Sequence, residues 1–268
     1  MLDERGFSDR AARVRSSWLK WVCLLVVVLL LGTFVVYVII RARAAGRAAL
    51  CNGYICQLGH AVTLYYNQHG ALPPAFARDE MERPLHSWRV AVLGFMDLEE
   101  YSKYNTSEPW TSPTNRQLLE GPGSALYGCP ADKEAVAPGN TSYVAVIGEE
   151  TFWPGTLSRR ILKITPEIEE KILLIEVASA EIPWTEPRDL SFQEAVAAFS
   201  VLSHSGRRRH PPGLHYVTFG GKVGFLSSIG SAEEFADMLR LPKGTYEDMD
   251  PFDVTSWESD QGYRPRPR

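Results

Sequence analysis

The stretch WVCLLVVVLLLGTFVVYVII, residues Trp21–Ile40, contains no charged side chain and lies between Lys20 and Arg41. A helix of this length is about 30 Å long, which is the thickness of the hydrocarbon core of a bilayer. A helix in a soluble core usually keeps one polar face, and this stretch has none. The apolar region of a cleaved signal peptide is shorter, at about 7–15 residues. The sequence therefore predicts an uncleaved single transmembrane helix over residues 21–40.

Basic residues on the two sides of this stretch indicate the orientation of the chain, because lysine and arginine accumulate on the cytoplasmic side. Five precede it and three follow it: Arg5, Arg10, Arg13, Arg15 and Lys20 before, and Arg41, Arg43 and Arg47 after. Residues 1–20 are therefore expected to form a cytoplasmic stub. The carboxyl-terminal domain is expected outside the cytoplasm, anchored to the cytoplasmic (inner) membrane by a single pass.

The helical pattern continues beyond the apolar stretch. Apolar residues recur at spacings of three and four from Leu50 to Tyr65, which is typical of an amphipathic helix. Gly70 and the pair Pro73 and Pro74 end the pattern, because proline lacks an N–H donor and restricts the residue before it. The sequence therefore predicts one long helix that includes the membrane span and ends near Gly70.

Short segments separated by turns follow the long helix. Two runs rich in β-branched and aliphatic residues, Ser142–Ile147 and Lys171–Ala178, predict buried strands. Gly220 and Gly221 separate two further apolar runs and predict a hairpin with a type I′ turn, in which both central residues have positive φ. An early helix followed by late strands predicts an α+β domain in which the long helix packs on an antiparallel sheet.

Local signals also predict two helices and a tail in the second half of the chain. Ser191 and Ser231 each stand three residues before a glutamate, which is the pattern of a capping box at the start of a helix. Residues 243–268 are acidic and then rich in proline and arginine, and they predict a disordered tail. The folded extracytoplasmic domain is thus expected to occupy residues 41–242.

The composition excludes several classes of protein. The 268 residues are 45% hydrophobic and 22% charged with a net charge of −4, which is unlike a wholly disordered chain. This charge gives no basis for a nucleic-acid binder, whose affinity depends on a basic face. The 21 glycines, 18 prolines and 4 cysteines are too few for a collagen-like or a disulfide-rich protein.

Seven segments occur in the order and form of one known bacterial family. They are CNGYICQLGHAVTLYYNQHGALPP (Cys51–Pro74), HSWRVAVLGFMD (His86–Asp97), SEPWTSPTNRQLL (Ser107–Leu119), YGCPAD (Tyr127–Asp132), TSYVAVIG (Thr141–Gly148), KILLIEV (Lys171–Val177) and IPWTEPRDL (Ile182–Leu190). The last is the most specific, through Trp184, Glu186 and Pro187. His210, followed after nine residues by Gly220 and Gly221, has the spacing of the family's His-x9-Asp-Gly motif. Over roughly residues 41–230 the chain therefore resembles the pilin-like domain of unknown function 1559 (DUF1559).

The resemblance implies a pilin-like fold, and the chain departs from the family pattern at two places. Family members typically carry a short basic leader, then Gly-Phe, and a glutamate at the fifth mature position before an apolar helix. Here Gly6 and Phe7 are present, but no glutamate stands inside the apolar stretch, which favours a permanent anchor over a processed leader. The second departure is Gly220, which replaces the motif's aspartate and still suits a hairpin turn.

The four cysteines occupy different surroundings. Cys23 lies in the predicted span and is expected to be an apolar filler. Cys51 and Cys56 are about 140° apart around the predicted helix, so they are not expected to bond each other, and either could bond Cys129 in an oxidising exterior. Cys51 occupies the family's matching position, so the resemblance implies a disulfide between Cys51 and Cys129.

The histidines His204, His210 and His215 flank three consecutive arginines. A metal site would require the three imidazoles to converge, and their spacings of six and five residues fit no single helix face. The sequence therefore predicts an exposed basic loop. No nucleophile elbow, phosphate-binding loop or zinc-protease motif is present. Catalytic residues, cofactors and metals are therefore not expected.

These features predict a non-enzymatic, membrane-anchored, pilin-like protein with a structural or interaction role in a cell-envelope or secretion-like assembly. Its expected partners are the lipid bilayer and, through the helix, other pilin-like or envelope proteins, without nucleic acid. One alternative is an anchored ligand-binding, metal-binding or hydrolytic module that uses the loop from His204 to His215. The other is a monomeric envelope protein that has lost assembly.

Overall fold

The computed structural model describes residues 4–79, 81–132, 139–178, 180–205 and 213–251. The chain divides into two compact units, residues 1–46 and residues 47–268. Helix α1, Glu4–His69, begins in the first unit and ends in the second. The motif residue His210 and the three arginines before it lie outside the described residues, as does the side chain of His204.

Within the first unit, α1 has an apolar surface on all sides from Leu24 to Ile40. From Leu24 to Ile40, every leucine, isoleucine, valine and aromatic side chain is exposed, with exposed fractions between 45% and 63%. By its length and composition, α1 is able to cross a membrane. The helix begins at Glu4, so the segment before the apolar stretch is helical as well.

Six further helices follow among the described residues. They are α2 (Trp88–Leu93), α3 (Leu98–Lys103), α4 (Pro113–Arg116), α5 (Pro166–Glu169), α6 (Phe192–Ser205) and α7 (Ala232–Leu239). Both predicted capping boxes begin a helix: the Oγ of Ser191 accepts the N–H of Glu194, and the Oγ of Ser231 accepts that of Glu234. These bonds satisfy donors that a helix start leaves open.

Twelve short strands occur in the described part of the chain. They are β1 (Phe76–Arg78), β2 (Pro84–Ser87), β3 (Asn140–Thr141), β4 (Tyr143–Val144), β5 (Val146–Ile147), β6 (Ser158–Ile161), β7 (Ile172–Glu176), β8 (Ile182–Pro183), β9 (Leu190–Ser191), β10 (His215–Thr218), β11 (Val223–Phe225) and β12 (Tyr246–Met249). The central sheet is antiparallel in the order β11-β10-β7-β4. Strand pairs β1-β2, β3-β8 and β6-β12 are antiparallel, and β5-β9 is parallel. The predicted α+β class, with a long helix and an antiparallel sheet, is confirmed.

Two hydrophobic clusters form the core of the second unit. Ile55 and Leu58 of α1 belong to one cluster together with Val217 of β10. Phe199 of α6 and Phe235 of α7 stack on each other in the other cluster. A Cβ at Gly59 would lie 3.1 Å from both γ-carbons of Val217, so glycine allows α1 to approach the sheet closely.

The end of α1 follows the prediction. Gly70 has a φ of 72°, and its N–H donates to the carbonyl of Tyr66 at 2.8 Å. This left-handed residue closes the helix in the manner of a C-terminal glycine cap.

The hairpin between β10 and β11 forms as predicted, but its turn is of another type. Val217 pairs with Val223, and Gly221 donates its N–H to the carbonyl of Thr218 at 2.9 Å. Gly221 has a φ of 83°, whereas Gly220 is outside the left-handed region. The predicted two-residue type I′ turn is therefore wrong, and the loop is the three-residue class that ends in one left-handed glycine.

The predicted start of the tail at residue 243 is also wrong, because β12 belongs to the folded unit. Its Asp248 accepts both Nε and Nη2 of the buried Arg159 on β6, at 2.7 and 2.9 Å. The Arg159 guanidinium also lies 4.0 Å from the ring centroid of Tyr246. An ion pair and a cation–π contact hold this strand in place. Its sequence therefore does not need the alternating apolar residues that would have predicted a strand. Residues 252–268 lie outside the described residues.

Candidate functional site

A buried ion pair joins two of the segments that carry the family resemblance. Arg89, from the Ser-Trp-Arg segment, places Nη2 2.6 Å from Oδ1 of Asp189, and their side chains are 0% and 1% exposed. Arg89 also donates from Nε and Nη2 to the carbonyl of Tyr143 and from Nη1 to the Oγ of Ser87. The guanidinium is thus bonded on all three nitrogens, which is what a buried arginine requires.

The carboxylate of Asp189 organises the chain around it. It accepts the N–H of Ala145 at 2.8 Å and the Nε1–H of Trp88 at 3.3 Å. Burial raises the pKa of Asp189, and the Arg89 guanidinium together with these donors opposes that increase. The backbone N–H of Ala145 donates to the Asp189 side chain and not to a neighbouring strand. The predicted strand Ser142–Ile147 is therefore divided into β4 and β5.

Aromatic stacking connects a third resembling segment to this pair. Tyr127 stacks on Trp184 with ring centroids 4.8 Å apart and planes at 2°, and it donates its hydroxyl to the carbonyl of Arg89. Burial raises the pKa of the Tyr127 phenol. We call Arg89, Tyr127, Tyr143, Trp184 and Asp189 the motif core. Four separate sequence segments meet there.

A second buried cluster contains the predicted disulfide. Cys51 of α1 is bonded to Cys129, and both are buried. The Sγ atoms and a carboxylate oxygen of Glu176 all lie within 4.8 Å of one another. His215 places Nδ1 2.6 Å from Oε2 of Glu176 and donates its backbone N–H to the same oxygen at 2.9 Å. Cys51, Cys129, Glu176 and His215 are named the cysteine–glutamate cluster.

One further bond links the two clusters. The hydroxyl of Tyr143 donates to the carbonyl of Cys51 at 3.1 Å. Burial raises the pKa of Tyr143, and the nearby charge of Glu176 acts in the same direction. The motif core therefore contacts α1 at the residue that carries the disulfide.

Residues 41–168 match the family model described as a protein of unknown function (DUF1559). The predicted resemblance to DUF1559 is confirmed over these residues. No curated protein and no solved structure matches the chain. The matched residues include Arg89, Tyr127 and Tyr143 and end before Trp184 and Asp189. In the motif core, residues of the matched segment therefore contact residues from the later part of the resemblance.

The remaining residues predicted from the family pattern lie at the surface or in turns. Glu186 pairs with Arg188 at 2.9 Å, and Pro187 between them is partly exposed. Gly220 and Gly221 form the loop of the hairpin. Cys23 and Cys56 are exposed free thiols.

The predicted exposed loop from His204 to His215 is wrong at its last residue. His215 lies in β10 with its side chain 2% exposed and bonds Glu176. Its burial follows from its place in β10, which lies between β11 and β7 and whose four residues are all buried. The sequence spacing among the histidines does not reveal this position.

A groove of about 820 Å³ lies beside the end of α1 and adjoins α2 and α3. Tyr65, Phe95 and Tyr101 provide aromatic walls, and Arg78 and His86 provide polar groups. Burial lowers the pKa of His86. This volume is in the range of small-molecule sites, but the groove shares no residue with the motif core.

Gly220→Asp, which introduces the aspartate of the motif that the chain resembles, is expected to destabilise the domain by about 1–3 kcal/mol, the usual cost of overpacking. A Cβ at Gly220 would lie 2.9 Å from the Cβ of Glu169 and 3.0 Å from its carbonyl oxygen. Thermal melting of the detergent-solubilised chain measures the effect. Gly221→Asn is the matched control, because a Cβ there meets no atom within 4 Å and asparagine tolerates positive φ. An unchanged melting temperature for Gly220→Asp would contradict the steric explanation.

Proposed function

We propose that this DUF1559 chain is a non-enzymatic, membrane-anchored, pilin-like protein with a structural or interaction role in a cell-envelope assembly. The observation that carries the proposal is the apolar surface of α1 from Leu24 to Ile40, which is exposed on every side. An apolar surface of this size is costly in water and is stable against lipid or against other apolar helices.

The two buried clusters support a structural role. In the motif core, Arg89, Asp189 and Tyr127 use their polar atoms to bond other parts of the same domain. The disulfide between Cys51 and Cys129 suits an oxidising exterior, since such bonds persist outside the cytoplasm. The disulfide and the hydrogen bond from the Tyr143 hydroxyl to the carbonyl of Cys51 hold α1 to the rest of the domain.

The free thiols of Cys23 and Cys56 allow a test with native residues. In intact spheroplasts, a membrane-impermeant maleimide is expected to label Cys56, because the domain lies outside, and to leave Cys23 unlabelled within lipid. Cys56→Ser and Cys23→Ser identify the labelled residue by mass spectrometry. Labelling of Cys56 only after permeabilisation would contradict an extracytoplasmic domain, and labelling of Cys23 would contradict a lipid-embedded span.

The same thiols test the interaction through the helix. Mild oxidation in membranes is expected to produce a dimer bonded through Cys23, which persists in Cys56→Ser and disappears in Cys23→Ser. A chain that remains entirely monomeric in this assay, at native expression levels, would instead support a monomeric envelope protein that does not assemble through α1.

A further inference from the structure

The groove beside the end of α1 is lined in part by the last described residues of the chain. Asp250 and Pro251 belong to its lining, together with Tyr65 of α1. They follow β12 directly, and Asp248 of that strand is bonded to the buried Arg159. The chain is therefore anchored just before it reaches the groove, and the residues after Pro251 start at the groove wall.

The walls of this groove are apolar and incompletely covered. Tyr65, Phe95 and Tyr101 pack against the hydrophobic core and are only partly buried. Tyr65 and Phe95 meet edge to face, with ring centroids 6.1 Å apart. Leu98, at the start of α3, also lines the groove and is 64% exposed. Removing such surfaces from water is favourable, so the groove suits an apolar and preferably aromatic occupant.

The sequence after Pro251 supplies such an occupant. Residues 252–268 contain three aromatic residues in 17 positions, Phe252, Trp257 and Tyr263, which exceeds the 11% aromatic content of the whole chain. Segments that stay solvated are normally poor in aromatic residues. Trp257 is six positions from Pro251, so it starts within about 20 Å of the groove wall in any backbone conformation.

Covalent attachment at the groove wall favours this segment over a separate molecule. A short connection gives a tethered ligand an effective concentration in the millimolar range. The tethered segment also avoids most of the loss of translational and rotational freedom that a separate molecule incurs on binding. A modest apolar contact is therefore enough to keep the tethered segment bound.

We propose that residues 252–257 occupy the groove of their own chain, with Phe252 and Trp257 packed on its aromatic walls. The segment covers Leu98 and acts as an internal ligand of the domain. A partner that uses the groove must first displace this segment. The inference goes beyond the proposed structural role, and it applies equally to an assembled and to a monomeric chain.

Photo-crosslinking in the full detergent-solubilised chain tests the proposal, with Trp257→p-benzoylphenylalanine as the probe. Irradiation is expected to bond this side chain to a groove residue, which mass spectrometry of the digested chain identifies. Chains grown with light and with heavy nitrogen are mixed before irradiation, and cross-linked peptides of a single isotope show that the bond lies within one chain. Tyr263→p-benzoylphenylalanine is the control from the same tail and is expected to give few groove cross-links.

Two exposed apolar residues provide a matched pair of groove variants. Leu98→Gln is expected to lower the yield of groove cross-links by at least about 5-fold, the change in population that loss of a modest apolar contact produces. Val201→Gln is expected to leave the yield unchanged, because Val201 is equally exposed, at 65%, and lies on α6, which contributes no described residue to the groove.

Hydrogen exchange gives a second readout that needs no photochemistry. The amides of α3 are expected to exchange at least about 5-fold faster in Phe252→Ser, Trp257→Ser than in Tyr263→Ser, because a six-residue helix loses the contacts that cover it. Far-UV circular dichroism shows that the variants fold.

Three outcomes overturn the proposal. The first is a probe at position 257 that bonds only outside the groove or not at all. The second is a set of cross-linked peptides that combine both isotopes, which would assign the groove to a second copy of the chain. The third is an equal cross-linking yield for Leu98→Gln and Val201→Gln, or an equal rate of α3 exchange in the two tail variants.

Discussion

Arg89→Met is expected to lower the free energy of unfolding of the domain by about 3–5 kcal/mol, because it leaves a buried carboxylate without its cation. The Asp189 side chain is 1% exposed, and among the described residues it keeps the donors from Ala145 and Trp88 after the change. Methionine fills much of the volume of arginine, so the lost charge dominates over a cavity. For a domain of this size the loss corresponds to a melting temperature about 6–20 °C lower.

Two variants isolate this effect. Arg188→Met is the matched control, because Arg188 is 52% exposed in its pair with Glu186 and is expected to cost less than about 1 kcal/mol. Arg89→Met combined with Asp189→Leu is expected to recover much of the stability, since removing both charges leaves no unpaired ion. Thermal melts followed by near-ultraviolet circular dichroism compare all three. Equal melting temperatures for Arg89→Met and Arg188→Met would refute the role of the buried pair.

Removal of the disulfide by Cys51→Ser and Cys129→Ser is expected to cost about 4.5 kcal/mol, from the loop entropy of a cross-link with a sequence separation of 78. The cross-link restricts the unfolded chain, so its loss increases the entropy gained on unfolding. Both cysteines are buried, and the two serines add unpaired polar groups to the core. The expected loss is therefore one of the largest available to this domain.

Denaturant unfolding of the detergent-solubilised chain without reductant measures this cost. Cys23→Ser with Cys56→Ser is the control, because it removes two sulfurs without removing a cross-link. A midpoint equal to that of this control would show that the disulfide contributes no stability.

Sequence predicts those parts of the fold that depend on neighbouring residues. The end of α1 at Gly70, the caps at Ser191 and Ser231 and the hairpin at Gly221 each depend on a few consecutive positions. The predicted type of hairpin turn is wrong. The N–H of Gly220 donates to the carbonyl of Glu169, and this contact fixes the conformation of the loop. A tertiary contact of this kind leaves no signal in the two glycines themselves.

The contacts of the motif core could not be predicted from the sequence, for a physical reason. Arg89 and Asp189 stand 100 positions apart, and each alone resembles an ordinary surface charge. Their pairing depends on tertiary contacts between distant segments, such as the hydrogen bond from the N–H of Ser87 to the carbonyl of Thr185. Family resemblance identified the correct segments, and it implied the correct cysteine pair, but it assigned no contact between Trp184 and Tyr127. β12 is not predicted from the sequence for the same reason. It is held by contacts with Arg159, which is distant in sequence, and not by an apolar face.

The disulfide has a mechanical consequence for a chain that is pulled along α1. Cys51 and Cys129 are 78 positions apart, so a force that acts across the domain passes through the S–S bond and bypasses the residues between them. At about 3.4 Å per extended residue, the bypassed segment represents roughly 260 Å of contour length that pulling does not release. Arg89 and Tyr127 of the motif core lie within that segment. The covalent bond thus shields these two residues of the motif core from tension, while the other three, Tyr143, Trp184 and Asp189, remain under load.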